Sequence, residues 1–181
     1  MTNERKYLVL SAVGPDRVGL VEEVAHFVFE RGGNIEDSRM ALLGGEFSLL
    51  VLISGSAQIV AMIASDNGAL EKKTGLTVQC RPTIAPGERR SARTLPYELT
   101  ASSLDHPGIL FHLSKLLHSK NINIESVETR SLNAPVSGSP IFQVEIKMAI
   151  PADVSIGLLR DELAALAAKG NLDLDLRTVK M

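Results

Sequence analysis

At 181 residues, with 45% apolar and 22% charged side chains, the chain is an ordinary globular sequence, long enough for one medium domain or two small ones. A net charge of −2 supplies no basic field for nucleic acid or an anionic membrane, and the single cysteine, Cys80, excludes an internal disulfide framework and fits a reducing compartment. No apolar run reaches the ~18 residues of a membrane helix, and the polar stretch Met1 to Lys6 is unlike a secretory signal, so a cytoplasmic protein with no membrane partner is predicted.

In chain order, Tyr7 to Val13 is a short apolar run that predicts a central strand. Gly14-Pro15-Asp16 breaks it, and Asp16 is placed to cap the helix that follows. Leu20, Val21, Val24, Phe27 and Val28 recur at three- and four-residue spacing to form that helix's apolar face, with Glu22, Glu23, His26 and Glu30 on the other side. Gly32-Gly33 is a helix stop, because glycine accepts the left-handed conformation that ends many helices. Asn34 to Leu43 then reads as a strand, Gly44-Gly45 as a hairpin turn and Glu46 to Ser54 as its partner. Ser56 is a candidate cap for a second helix running to about Lys73, and Gly75 to Arg81 predicts a closing strand. The order is βαββαβ.

From Thr83 the composition changes to prolines, glycine and arginines, with Pro86, Gly87, Arg89, Arg90, Arg93 and Pro96 in place of large apolar side chains. This is the signature of a linker, expected over 83–95 between a first domain at 5–82 and a second at 96–181. The arginines admit two readings, a solvated hinge or a contact for an acidic partner or nucleic acid.

Beyond the linker the pattern restarts. Tyr97 to Ser102 predicts a strand, Asp105 a cap, and Ile109, Leu110, Leu113, Leu116 and Leu117 a helix face. Each of these five lies 89 positions (105 − 16 for the two aspartates) after its counterpart on the first helix, without a gap. Asn34-Ile35-Glu36 likewise returns as Asn123-Ile124-Glu125. A strand from Ile122 to Arg130, a long connection over Asn133 to Pro140 and an alternating strand from Phe142 to Ile150 follow. Pro151-Ala152-Asp153 is expected to start a last helix that Gly170 ends, and Leu172 to Arg177 reads as an edge strand. The chain is therefore an internal duplication. Its predicted fold class is α+β: two tandem βαββαβ ferredoxin-like sandwiches, each a four-stranded antiparallel sheet with two helices on one face. Their exposed sheet edges would favour pairing of halves or of chains, and a homodimer is expected.

The duplicated turn has a chemistry of its own. A helix N-terminus offers unpaired backbone N–H groups and partial positive charge, and glycine in the first turn, Gly19 or Gly108, admits close approach. Asp16 or Asp105 can attract a cation, and Asn34 or Asn123 offers an amide donor and acceptor. Together these suit a small zwitterion such as an α-amino acid. The same residues also read as an N-cap, an eased turn and a helix-end residue.

Asp16-Arg17-Val18-Gly19-Leu20 with Asn34-Ile35, and Asp105-His106-Pro107-Gly108-Ile109 with Asn123-Ile124, resemble the signature of ACT domains, small-molecule regulatory modules. The resemblance covers nearly the whole chain, and two such units opening on Gly14-Pro15-Asp16 are similar to the glycine cleavage system transcriptional repressor family. It implies binding of a small amino acid, glycine or serine, at the loop between first strand and first helix. It also implies action through a protein partner, a LysR-type transcriptional activator, without direct nucleic-acid contact. On this chain the implied ligand-binding positions are Asp16, Arg17, Val18, Gly19, Asn34 and Ile35, and Asp105, His106, Pro107, Gly108, Asn123 and Ile124. The copies differ: Val18 stands against Pro107 and Arg17 against His106, a difference that admits two readings, different ligands at the two sites or one site vacant.

No residue pattern points to catalysis. His112 and His118 are six apart, which does not put two metal ligands on one helix face, and His26 and His112 read as surface residues. Cys80 reads as a buried structural thiol. There is no Gly-x-Ser-x-Gly, Walker loop, His-Glu-x-x-His, helix-turn-helix or zinc-finger pattern. The sequence therefore predicts a non-enzymatic sensor without cofactor or metal, whose ligand shifts packing at domain or subunit interfaces. The alternative is a stand-alone ACT protein regulating a metabolic enzyme in trans.

Overall fold

A computed structural model of the chain describes residues 5–88, 93–133 and 138–179. The chain divides into two compact units between positions 90 and 91. The strands on either side reach Thr83 and resume at Thr94, inside the span expected as linker; Arg89 and Arg90 lie outside the described residues.

The first unit runs β1 (Lys6–Pro15), α1 (Leu20–Glu30), β2 (Asn34–Leu43), β3 (Glu46–Gly55), α2 (Ala57–Ser65), α3 (Asn67–Thr74) and β4 (Thr77–Thr83). Its sheet is antiparallel in the order β2-β3-β1-β4. Alternation along β1 turns Leu8, Leu10 and Ala12 inward, where they meet Leu49, Val51 and Ile53 of β3 and the α1 face of Leu20, Val24, Phe27 and Val28. Gly44 and Gly45 both have positive φ (61° and 92°), as a tight hairpin requires. At the end of α1, Gly32 is left-handed and the Gly33 N–H donates to the Val28 carbonyl, the stop expected from the paired glycines.

The second unit repeats the plan with β5 (Thr94–Leu104), α4 (Ile109–Ser119), β6 (Asn123–Asn133), β7 (Pro140–Pro151), α5 (Ile156–Gly170) and β8 (Asp173–Thr178), in the order β6-β7-β5-β8. Its core centres on Leu99, Leu113, Leu117, Ile146, Met148, Ile150, Leu159 and Leu163. Asn121, at φ 56°, takes the left-handed place that Gly32 holds in the first unit. The duplication extends to an irregularity: β2 slips register between Ile35 and Asp37, and β6 slips at the matching residues Ile124 and Ser126.

Several local expectations are corrected. The helix after Ser56 is broken at Asp66, whose N–H closes α2 on Met62 while its carbonyl opens α3 at Ala69; Asp66-Asn67-Gly68 is a run of poor helix formers. The last helix begins at Ile156 under a Ser155 cap, because Pro151 to Val154 closes a turn instead. Val21 and Leu110, counted on the apolar faces, are 51% and 36% exposed. Cys80 is half-buried, and that burial raises its thiol above the ordinary pKa.

Candidate functional site

The two turns are built alike. Neither aspartate caps a helix: the residue before α1 is Gly19, at φ 97° and ψ −9°, and before α4 it is Gly108, at φ 101° and ψ −7°, with no side-chain cap at either. Left-handed backbone of this kind is what makes glycine necessary at both positions. Asp16 and Asp105 instead tie each turn to its sheet, their N–H groups donating to the carbonyls of Gly45 (3.1 Å) and Pro140 (2.9 Å). The Asp105 carboxylate accepts a hydrogen bond from Ser131 Oγ at 2.8 Å.

The asparagines lie elsewhere. Asn34 pairs with Ser54, which pairs with Tyr7 at the start of β1, whereas Asp16 follows the end of that strand. Ten residues of β1 put about 30 Å between these ends. Asn123 pairs with Ala149, which pairs with Pro96 near the start of β5, whereas Asp105 follows the end of that strand. So Asp16, Arg17, Val18 and Gly19 form one group and Asn34 and Ile35 another, and Asp105, His106, Pro107 and Gly108 are similarly parted from Asn123 and Ile124. The fold class held the signal: in this strand order β1 and β2 are parallel, so α1 must carry the chain back to where β1 began.

At the far end, the Asn34 amide donates to Glu36 at 2.9 Å, and Glu36 also accepts from Ser54 Oγ and, at 3.4 Å, from Arg5. These residues border a polar hollow of about 300 Å³ lined by Arg5, Asn34, Ser54 and Ser56. The Ser54 hydroxyl, then the Asn34 amide, hold the Glu36 carboxyl below the usual glutamate value. A depressed carboxylate stabilises the fold above its unfolded pKa, and the contribution disappears as pH falls through the lower folded value. In Ser54→Ala the Glu36 carboxyl should titrate closer to the ordinary 4.5, followed by carbon-detected NMR; an unmoved titration would reject this hydrogen bond as the cause. Glu125 has no such partner, because Ala149 stands where Ser54 does.

At the turns the copies diverge sharply. Arg17 makes a fork-to-fork pair with Glu23, Nη1 to Oε1 at 2.8 Å and Nη2 to Oε2 at 2.7 Å, and its Nη2 reaches the carbonyls of Lys73 and Thr74 at 3.4 Å. The same pair lowers the Glu23 pKa and raises that of Arg17. Val18 is 99% exposed, and only its carbonyl takes part, accepting from Arg17 Nη1 at 3.3 Å. In the second unit His106 occupies the place of Arg17 and His112 that of Glu23, and a cleft of about 250 Å³ opens between the turn and the end of α5. It is lined by His106, Ile109, His112, Leu166, Lys169 and Leu172. Reading the sequence singled out Arg17 against His106 but took His112 for plain surface. The missed signal is the paired exchange, an Arg and a Glu six apart becoming two histidines six apart.

Among the described residues no group of three or more His, Cys, Asp or Glu is placed to hold a metal ion, and no helix is long and apolar enough to cross a membrane.

Residues 6–81 match the ACT domain family. Over 169 residues the chain is 27% identical to the glycine cleavage system transcriptional repressor of Escherichia coli (strain K12), covering 93% of this chain and 88% of that protein; the Shigella flexneri repressor gives the same figures. Among solved structures, a protein of unknown function from Galdieria sulphuraria superposes with a TM-score of 0.80 at 29% identity, over 98% of this chain and all of that one. A protein provisionally assigned as a glycine cleavage system transcriptional repressor does so at 0.71 and 26%, over 98% and 99%.

Proposed function

We propose that this chain, a tandem ACT-domain protein resembling the glycine cleavage system transcriptional repressors, is a non-enzymatic sensor of a small amino acid that regulates through a protein partner. The observation that carries the reading is a likeness to the Escherichia coli repressor that spans both units and not one ACT module alone. The ligand class is glycine or serine, and the partner a LysR-type transcriptional activator in the cytoplasm. A net charge of −2 favours a protein contact over direct binding to DNA.

The ligand-binding positions we assign are Asp16, Arg17, Val18, Gly19, Asn34 and Ile35, with Asp105, His106, Pro107, Gly108, Asn123 and Ile124. Since the Asp16 and Asn34 groups occupy opposite ends of one sheet, a ligand that used both would draw them from two copies of the chain in a homodimer. Ligand binding would then bias how the copies pack, and the partner would respond to that difference.

A thermal-shift panel of the twenty amino acids at millimolar concentration tests the sensor. Glycine or serine should raise the melting temperature by mass action, and no response to any amino acid removes the ligand half of the reading. Affinity capture from lysate then distinguishes a transcription factor from a metabolic enzyme regulated in trans.

A further inference from the structure

The strands β4 and β8 occupy equivalent edge places in the two sheets and present different edges. An edge strand turns the N–H and C=O of every second residue away from its own sheet, a row that a further strand can pair with. In β4 that row is closed. The Val78 N–H donates to Glu71 Oε1 at 2.7 Å and the Val78 carbonyl accepts from Asn67 Nδ2 at 3.4 Å, both side chains reaching over from α3. Farther along, Pro82 has no N–H to offer.

In β8 the same row is open. The Val179 N–H donates to the Pro96 carbonyl, so Arg177, Asp175 and Asp173 are the residues that bond β5, and Leu174 and Leu176 face outward. Leu174 is the counterpart of Val78, since Ala12 pairs with Val78 and Ala101 with Leu174. Ala167 and Leu163 stand before it where Glu71 and Asn67 stand before Val78, and neither can donate or accept through its side chain. Arg160 Nη2 takes the Leu176 carbonyl at 2.6 Å. Among the described residues nothing bonds the Leu174 N–H, the Leu174 carbonyl or the Leu176 N–H.

The flanking side chains say what would pair there. Leu174 and Leu176 pack toward the core, so Asp173 and Asp175 lie on the other face of the sheet, beside a polar hollow of about 370 Å³. The charges around them are already matched: Glu145 lies 3.4 Å from Lys147, Glu128 lies 3.6 Å from Arg130, and Arg177 pairs with the buried Glu98. Among the described residues neither aspartate makes an ion pair. The first unit has the uncharged Thr77 and Gln79 at these places. An antiparallel strand that exchanged both bonds with Leu174 would set its two flanking residues opposite Asp173 and Asp175, where opposite charge stabilises and like charge opposes. The β8 of a second copy fits poorly. Registers that pair Leu174 with its own copy or with Leu176 set Asp175 opposite Asp173 or another Asp175.

We infer that the outer edge of β8 is a docking edge for an extended segment of a partner protein, with basic residues on either side of an apolar one, added to the second sheet as a further strand. The inference rests on the proposed function only in calling for a protein partner. It adds where that partner is held and by what chemistry, and it is independent of amino-acid sensing. One copy of the duplicated edge is capped by its own helix, and the other is left for a partner.

The test is titration of the end-blocked peptide Val-Lys-Val-Lys-Val into the full chain, followed by amide signals and hydrogen exchange. In the free chain the Leu174 and Leu176 amides should exchange quickly while those of Asp173, Asp175 and Val78 are protected, and the peptide should protect both leucines. Val-Glu-Val-Glu-Val, and the basic peptide N-methylated at its central valine, should each bind roughly tenfold more weakly. Asp173→Lys with Asp175→Lys should reverse the order of the two charged peptides. Ala167→Glu copies the Glu71 cap onto the Leu174 N–H. It adds an acid, which by charge alone would favour the basic peptide, yet it should weaken that peptide roughly tenfold. Equal affinity in wild type and in a folded Ala167→Glu variant would overturn the inference, as would binding that leaves the Leu174 and Leu176 amides unprotected, or no binding at millimolar peptide. Protection of both amides in the free chain, lost on dilution, would give the edge to a second copy and overturn it likewise. Any of these outcomes removes the docking edge and leaves the sensor, which the thermal-shift panel tests, standing.

Discussion

Replacing Gly19 by valine should destabilise the first unit by about 2 kcal/mol, and Gly108→Val should do the same to the second. Both glycines hold φ near +100° with ψ near zero, a region that an L residue enters at a cost and a β-branched one rarely enters at all. The cost belongs to the backbone. A Cβ built on Gly19 meets nothing nearer than Glu23 Oε1 at 3.7 Å, and on Gly108 nothing nearer than the His112 ring at 3.5 Å, both ordinary contacts. Alanine should therefore lose most of what valine loses, while asparagine, which tolerates the left-handed region, should lose less. Urea titrations with an unchanged slope measure this directly. Equal midpoints for Gly19→Val and wild type would mean that the turn is not left-handed in solution. The sequence alone makes Gly19→Val look like a clean probe of ligand approach, since the first turn of a helix accepts most side chains. With the glycine outside the helix and left-handed, a lost ligand response in that variant reports the strained turn as much as a blocked site.

The duplication was readable because apolar spacing survives divergence: the positions of Leu20, Val24, Phe27 and Val28 return as Ile109, Leu113, Leu116 and Leu117, although only the pattern is shared. The succession of strands along the chain followed from runs of apolar residues and period-two alternation, and the first hairpin turn from Gly44-Gly45. What stayed hidden were features set by dihedral angles or by distance through space. A glycine ahead of a helix reads equally as room for a ligand or as a demand for positive φ, and sequence carries no φ. Asn34 lies close to Asp16 in sequence and about a full strand length away in the sheet. Asp66 splits a helix at a point where local propensity argued only weakly against continuing. The exchange of Arg17–Glu23 for His106–His112 was legible in principle. Its meaning needed the end of the second helix brought alongside, and that contact spans more than fifty residues.

Leu113→Ala should cost the second unit about 3 kcal/mol, and Leu110→Ala, three residues earlier on the same helix, under 1 kcal/mol. Both sit at positions that three-and-four spacing assigns to the apolar face of α4. The structure separates them: Leu113 is fully enclosed with Leu117, Ile146 and Met148 in the core, while Leu110 is 36% exposed. Truncating Leu113 removes buried methyl groups and leaves a cavity under the helix that rigid neighbours only partly fill. Truncating Leu110 removes contacts that water can replace. Equal losses would show that α4 is rotated about its axis relative to this description, and Val21 against Val24 offers the same comparison on α1.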